Sequence, residues 1–152
     1  MDLPFAFDAY AERAPAPSGL RALLLVVRGD RYAVRLERVR VVLSQPVITR
    51  LPDAAGALLG VTNVRGEVVP VVDTGAVLGV GPLRVAATAA VVDTARGPLA
   101  LAGGDDPSSV VLDEAVGESD LPLGLVRHRT GDGVATLLDL DALAAVITGA
   151  AG

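Results

Sequence analysis

The chain has 152 residues, 51% of them hydrophobic and 3% aromatic, with a formal net charge of −5. That length builds one domain, or two very small ones sharing a core, and the negative charge argues against a general binder of nucleic acid or anionic membrane. With no cysteine and a single histidine, His128, disulfides, thiolate metal sites and His-rich metal cages are excluded. No apolar run approaches the roughly 20 residues that span a bilayer. Asp2 and Asp8 stand where a signal peptide requires basic residues. These features predict a cytoplasmic protein with no direct membrane insertion.

Residues 1–19 form an Ala/Pro-rich N-terminal tail that ends as a linker at Pro15, Pro17 and Gly19. It holds three of the four aromatics, Phe5, Phe7 and Tyr10, which marks it as a segment packed on its own domain or a docking peptide. From Leu20 onward the pattern is short strands between turn signals. Ala22 to Val27 is a buried-type strand, Arg28-Gly29-Asp30 a turn, Arg31 to Leu36 a loosely alternating strand and Val39 to Leu43 another. Ile48 to Leu51 runs extended into Pro52, and Asp53 to Leu59 reads as one helical turn capped by Asp53. Val61 to Val64 and Val68 to Val72 are too short and too β-branched for helix, and Arg65-Gly66 is the turn between them. Gly103 to Ser109 is a loop. Leu140 to Thr148, after Asp139 as a cap, is a short terminal helix, with 149–152 frayed.

The second half repeats the first. Ala22 to Val27 matches Thr88 to Asp93, and the stretch from Gly29 to Val34 matches Ala95 to Leu101. Val41 to Leu43 matches Val110 to Leu112, and Val68 to Asp73 matches Val134 to Asp139. The offsets stay near 66 to 69 residues in the same order. This predicts a domain over 20–148 made of two small all-β units, about 20–83 and 84–148. Closed barrels suit units of that size because they leave no exposed strand edge.

Leu23 to Val27, Gly29-Asp30, Tyr32, Val39 and the Ile48-Thr49-Arg50-Leu51-Pro52 segment lead into Leu59-Gly60-Val61-Thr62-Asn63-Val64-Arg65-Gly66 and Val69-Pro70-Val71-Val72-Asp73. This pattern resembles the CheW-like adaptor domain of bacterial chemosensory arrays, without gaps over about 50 residues. The second half resembles it through Leu123-Gly124-Leu125 and Leu137-Leu138-Asp139-Leu140. The resemblance implies an all-β fold of two pseudo-symmetric five-stranded SH3-like barrels with a short C-terminal helix. It implies a non-catalytic adaptor, a monomer outside the array, with no cofactor and no metal. Its partners would be the regulatory domain of a CheA-type histidine kinase and the cytoplasmic tip of a chemoreceptor. Carried over by position, Val42, Ile48 and Arg65 fall on the kinase side, and Val39 and Gly60 at the receptor groove. Many relatives carry a glutamate at the position of Val41, where it pairs with the hairpin arginine. Here Arg65 needs another carboxylate, with Glu67 a candidate, or stays in water.

Two other functions fit parts of the chain. Asp73-Thr74-Gly75-Ala76 after two valines matches the loop of retroviral-type aspartic proteases, where paired aspartates share a proton. A barrel module of another signalling pathway is the second. No Gly-x-Ser-x-Gly elbow, Gly-Lys-Ser/Thr phosphate loop or dinucleotide fingerprint is present. His128, between Arg127 and Arg129, reads as an exposed hairpin rim, and Asp105-Asp106 as solvated acids. Arg31, Arg35, Arg38 and Arg40 form a basic cluster, with Arg38 and Arg40 on one strand face, suited to shielding an edge or steering an acidic partner.

Overall fold

The computed structural model describes residues 19–51, 56–83, 85–104, 107–118 and 123–151. The expected tail over 1–19, except Gly19, and the Asp53 cap lie outside them. Among the described residues eleven strands form in order: β1 (Leu20–Val27), β2 (Asp30–Arg35), β3 (Val39–Ser44), β4 (Leu58–Val64), β5 (Glu67–Asp73), β6 (Thr88–Thr94), β7 (Gly97–Gly103), β8 (Ser108–Leu112), β9 (Ala115–Glu118), β10 (Gly124–Thr130) and β11 (Gly133–Leu138). A 3-10 turn, Leu36–Arg38, joins β2 to β3. A one-turn helix, α1 (Thr74–Val77), follows β5, and α2 (Leu140–Ala151) follows β11.

The strands make two sheets, in the orders β8-β1-β2-β11-β10-β9 and β3-β6-β7-β5-β4. They are the two SH3-like barrels, called here the first and the second. Each of the four internal sequence matches falls on equivalent strands: β1 with β6, β2 with β7, β3 with β8, and β5 with β11. Exchanging these labels, and β4 with β10, turns one strand order into the other, apart from the added β9. The parallel pairings agree residue by residue, since Val71 lies opposite Ala100 and Leu137 opposite Ala33.

The boundary between the units needs correction. Residues 20–83 and 84–148 do not each make a barrel. The first barrel takes β1 and β2 from the first half and β8 to β11 from the second, and the second barrel takes β3 to β5 and then β6 and β7. The cause lies in the pairing: β3 bonds to β6 and β8 to β1, so each half completes the other.

Alternation along the strands serves two cores. Ala22 and Leu24 face the interior of the first barrel with Ala33, Ala135 and Leu137, while Leu23, Leu25 and Val27 face a core between the barrels. On β6, Ala89 and Val91 fill the second barrel and Ala90 and Val92 the central core. A strand buried on both faces reads as a continuous apolar run. The central core is the larger-residue one, rich in leucine and closed by Leu140, Leu143 and Ile147 of α2. The first barrel's interior alternates alanine with leucine and the second's alanine with valine, small residues offsetting larger ones where a narrow barrel has little room.

Other expectations shift locally. Leu58 and Leu59 are strand, not helix. Ser108 and Ser109 belong to β8, so the loop after Gly103 is shorter than expected. The terminal helix continues to Ala151 instead of fraying at 149. Its start agrees: the Ala142 amide donates to Asp139 Oδ1 at 3.1 Å.

Candidate interaction surfaces on the second barrel

The β4–β5 hairpin turns through Arg65 and Gly66, with φ of 52° and 89°. Positive φ at both central residues is the tight hairpin geometry whose twist matches the strands it joins. The turn is pinned by the Gly66 amide donating to Asn63 Oδ1 at 2.9 Å. Arg65 is thereby exposed at the tip. It makes no ion pair among the described residues. Glu67 is taken by Arg40 Nη1 at 3.1 Å, and Arg40 Nε also holds Asp93 Oδ1 at 2.6 Å.

Arg38 and Arg40 do not share a strand face. The register slips between Val39 and Val41, leaving Arg40 as an extra residue in a bulge. Arg38 turns the other way, donating to the Asp93 carbonyl at 2.8 Å and to Asp141 Oδ1 of α2 at 2.7 Å. Arg31 belongs to the other barrel. It reaches Asp132 Oδ1 at 2.8 Å, and that guanidinium holds the Asp132 carboxyl below its usual range. The four arginines are thus spread over both barrels.

On β3, side chains alternate between half-buried and exposed. Val42 is exposed at 38%. Val39 is half-buried and packs on the central core, and Ile48 is half-buried against the interior of the second barrel. Gly60 is buried where the chain from Thr49 to Arg50 crosses β4. A Cβ at Gly60 would collide with the Thr49 carbonyl. That crossing is a two-bond bridge, the Thr49 amide to the Val61 carbonyl at 2.8 Å and the Val61 amide to the Thr49 carbonyl at 2.9 Å. Any side chain at Gly60 therefore perturbs the fold before it reaches a partner.

The crossing closes the seam of the second barrel, and a buried hydroxyl secures it: Thr62 Oγ1 donates to the Val47 carbonyl at 2.7 Å. His128 does the equivalent work in the first barrel. It is fully buried on β10, so the expected exposed rim is wrong. Its Nδ1 lies 2.9 Å from the Asp113 carbonyl, and because a carbonyl only accepts, the proton sits on Nδ1. Period-two alternation, with Arg127 and Arg129 pointing out, was the signal that would have placed His128 inside.

Asp73 is the cap of α1. Its Oδ1 accepts the Ala76 amide at 3.0 Å, and both oxygens accept the Leu83 amide at 3.2 Å. It is 5% exposed. Asp139, its counterpart in the repeat, caps α2 in the same way. A carboxylate committed to backbone amides is not placed to activate a water, so the protease reading finds no support at this loop. Among the described residues no three His, Asp or Glu side chains are grouped to hold a metal, and no helix is long and apolar enough to cross a membrane.

Exposed valines occur on both barrels, Val111 and Val134 on the first at 46% and 38%, but the more exposed Val47 and Val68 belong to the second. Val47 and Val68 are 82% and 63% exposed. Asn63, opposite Val68 on the hairpin, lines a groove of about 350 Å³ with Leu43, Pro46, Val47 and Thr62.

Comparison with known proteins gives two findings. A family model described as CheW-like domain matches residues 21–147. The crystal structure of scaffolding protein TtCheW from Thermoanaerobacter tengcongensis aligns with a TM-score of 0.72 at 19% sequence identity, covering 86% of this chain and 89% of that one. At that identity the likeness speaks for the fold.

Proposed function

The chain belongs to the CheW-like domain family, a family of non-catalytic scaffolds, and on that footing we propose that it couples chemoreceptor cytoplasmic tips to a CheA-type histidine kinase. The observation that supports this reading is the exposure of Val42, Val47 and Val68 on the second barrel, Val47 and Val68 being among the three most exposed large hydrophobics of the described residues. Large apolar side chains left this exposed mark a candidate protein contact. Val42 and Arg65 supply the kinase side, with Ile48 supporting it from beneath. Val39 serves the receptor side, and Gly60 contributes by letting the Thr49 crossing lie close to β4. An array multiplies such modest contacts by holding many of them at high local concentration.

Binding of the kinase's regulatory domain to Val42→Asp tests the kinase face. Val42 is exposed, so the variant keeps its circular dichroism spectrum, and affinity falls at least tenfold, about 1.4 kcal/mol. Ile48→Asp is the poorer test, since it places a charge against the barrel interior. An unchanged affinity in folded Val42→Asp would remove the kinase from this face.

A further inference from the structure

The adaptor reading assigns no task to Phe5, Phe7 and Tyr10, and acidic residues are interspersed with them at Asp2, Asp8 and Glu12. The second barrel offers a matching surface. Val47, Val85 and Val68 are the most exposed large hydrophobic side chains among the described residues, at 82%, 70% and 63%. Val47 lines the groove, and Val68 and Val85 lie at or near residues paired with its wall. Val47 is held to Thr62, Val68 lies opposite Asn63, and the Gln45 amide bonds at 2.8 Å to the carbonyl of Ala87, two residues after Val85. Two exposed arginines stand beside it: Arg50 follows Thr49 in the groove wall, and Arg65 is two residues beyond Asn63. Neither has an ion pair among the described residues.

We propose that residues 5–10 bind this face of their own chain. Phe5 and Phe7 cover the valines and enter the groove, and the acidic residues lie toward Arg50 and Arg65. A groove of about 350 Å³ sits at the small end of ligand pockets, which hold roughly 300 Å³ or more, and has room for an aromatic side chain. The reach is sufficient. Gly19 is fixed at one end of β1 by its bond to Leu112. The eight residues of β1 span about 26 Å. At its other end Val26, Gly104, Thr88 and Ser44 lead through successive pairings to the groove. Eleven residues lie between Phe7 and Gly19, and the twelve residue steps of a spacer containing Pro15 and Pro17 cover about 37 Å at 3.1 Å per residue. Tethering supplies an effective concentration near the millimolar range, so modest contacts hold the segment in place. The segment is then an internal competitor for the face that includes Val42; this consequence rests on the adaptor reading, whereas the docking itself does not.

The absence of cysteine allows one nitroxide to be attached to full-length protein at Ala6→Cys. The amide signals of Val47, Asn63 and Val68 should be lost in the labelled chain and return when the label is reduced. They should also persist when Val47→Asp and Val68→Asp are added. Losses centred on the first barrel, or no losses at all, would overturn the docking. Losses that occur only between labelled and unlabelled chains in a mixture would overturn it as an intramolecular contact. Removing residues 1–17 should raise affinity for the kinase's regulatory domain at least threefold. Equal affinity would overturn the competition, while the nitroxide result decides the docking by itself.

Discussion

Tyr32 is 2% exposed in the central core, with its hydroxyl 3.5 Å from Asp30 Oδ2. Burial first, and the nearby Asp30 second, push its phenol up from 10.0 to about 12. In the unfolded chain the proton leaves near 10, while the folded state keeps it to about 12. Stability fully present below pH 10 is therefore lost as pH rises through that window. The chain has no cysteine and all of its basic side chains except His128 are arginine, so tyrosine is the side chain that titrates there. Urea midpoints should fall between pH 10 and 12, and Tyr32→Phe should flatten the fall; equal slopes would contradict the assignment. A second buried group argues the other way round. Thr74 is fully buried, and its Oγ1 has no hydrogen-bond partner among the described residues. Thr74→Val keeps the shape and removes the unmet hydroxyl, so it should stabilise the protein by about 1 kcal/mol in urea unfolding. A loss of stability would mean that the hydroxyl is bonded.

Individual strands were legible because β-branched runs bounded by Gly, Pro and Asp admit little else. The Arg65-Gly66 turn and the Asp139 cap were read for physical reasons the structure repeats. Elements set by tertiary contact were harder to read. The helix Thr74–Val77 is a single turn, held by the Asp73 carboxylate and by a close approach in which a Cβ on Gly75 would meet the Gly81 carbonyl. Four residues give no periodicity to recognise. β10 was missed because Arg127-His128-Arg129 looks polar, although two of those side chains point out and one points in. Of the surface residues expected from the sequence, Val42 and Arg65 are exposed, whereas Gly60 is buried beneath a chain crossing that only long-range pairing reveals.

At the scale of the molecule, the duplication was visible in the sequence and its interlacing was not. Repeat offsets say that two segments are alike. They say nothing about which copy of β3 pairs with which copy of β1, since the two copies of each strand carry similar apolar patterns. The observed choice leaves each half without a complete barrel. A chain cut between residues 84 and 85 should accordingly give halves that fold only together, seen as one cooperative transition after mixing; a folded first half alone would contradict the topology. The same interlacing fixes the two barrels to one central core, a rigid arrangement suited to holding two partners at a set separation. Coupling itself is measured by sedimenting receptor-tip assemblies with the kinase, with and without this chain. The kinase should be found in the pellet only when the chain is present, and should return to the supernatant with Val42→Asp. Kinase that pellets equally without the chain, or never pellets with it, would contradict the adaptor function.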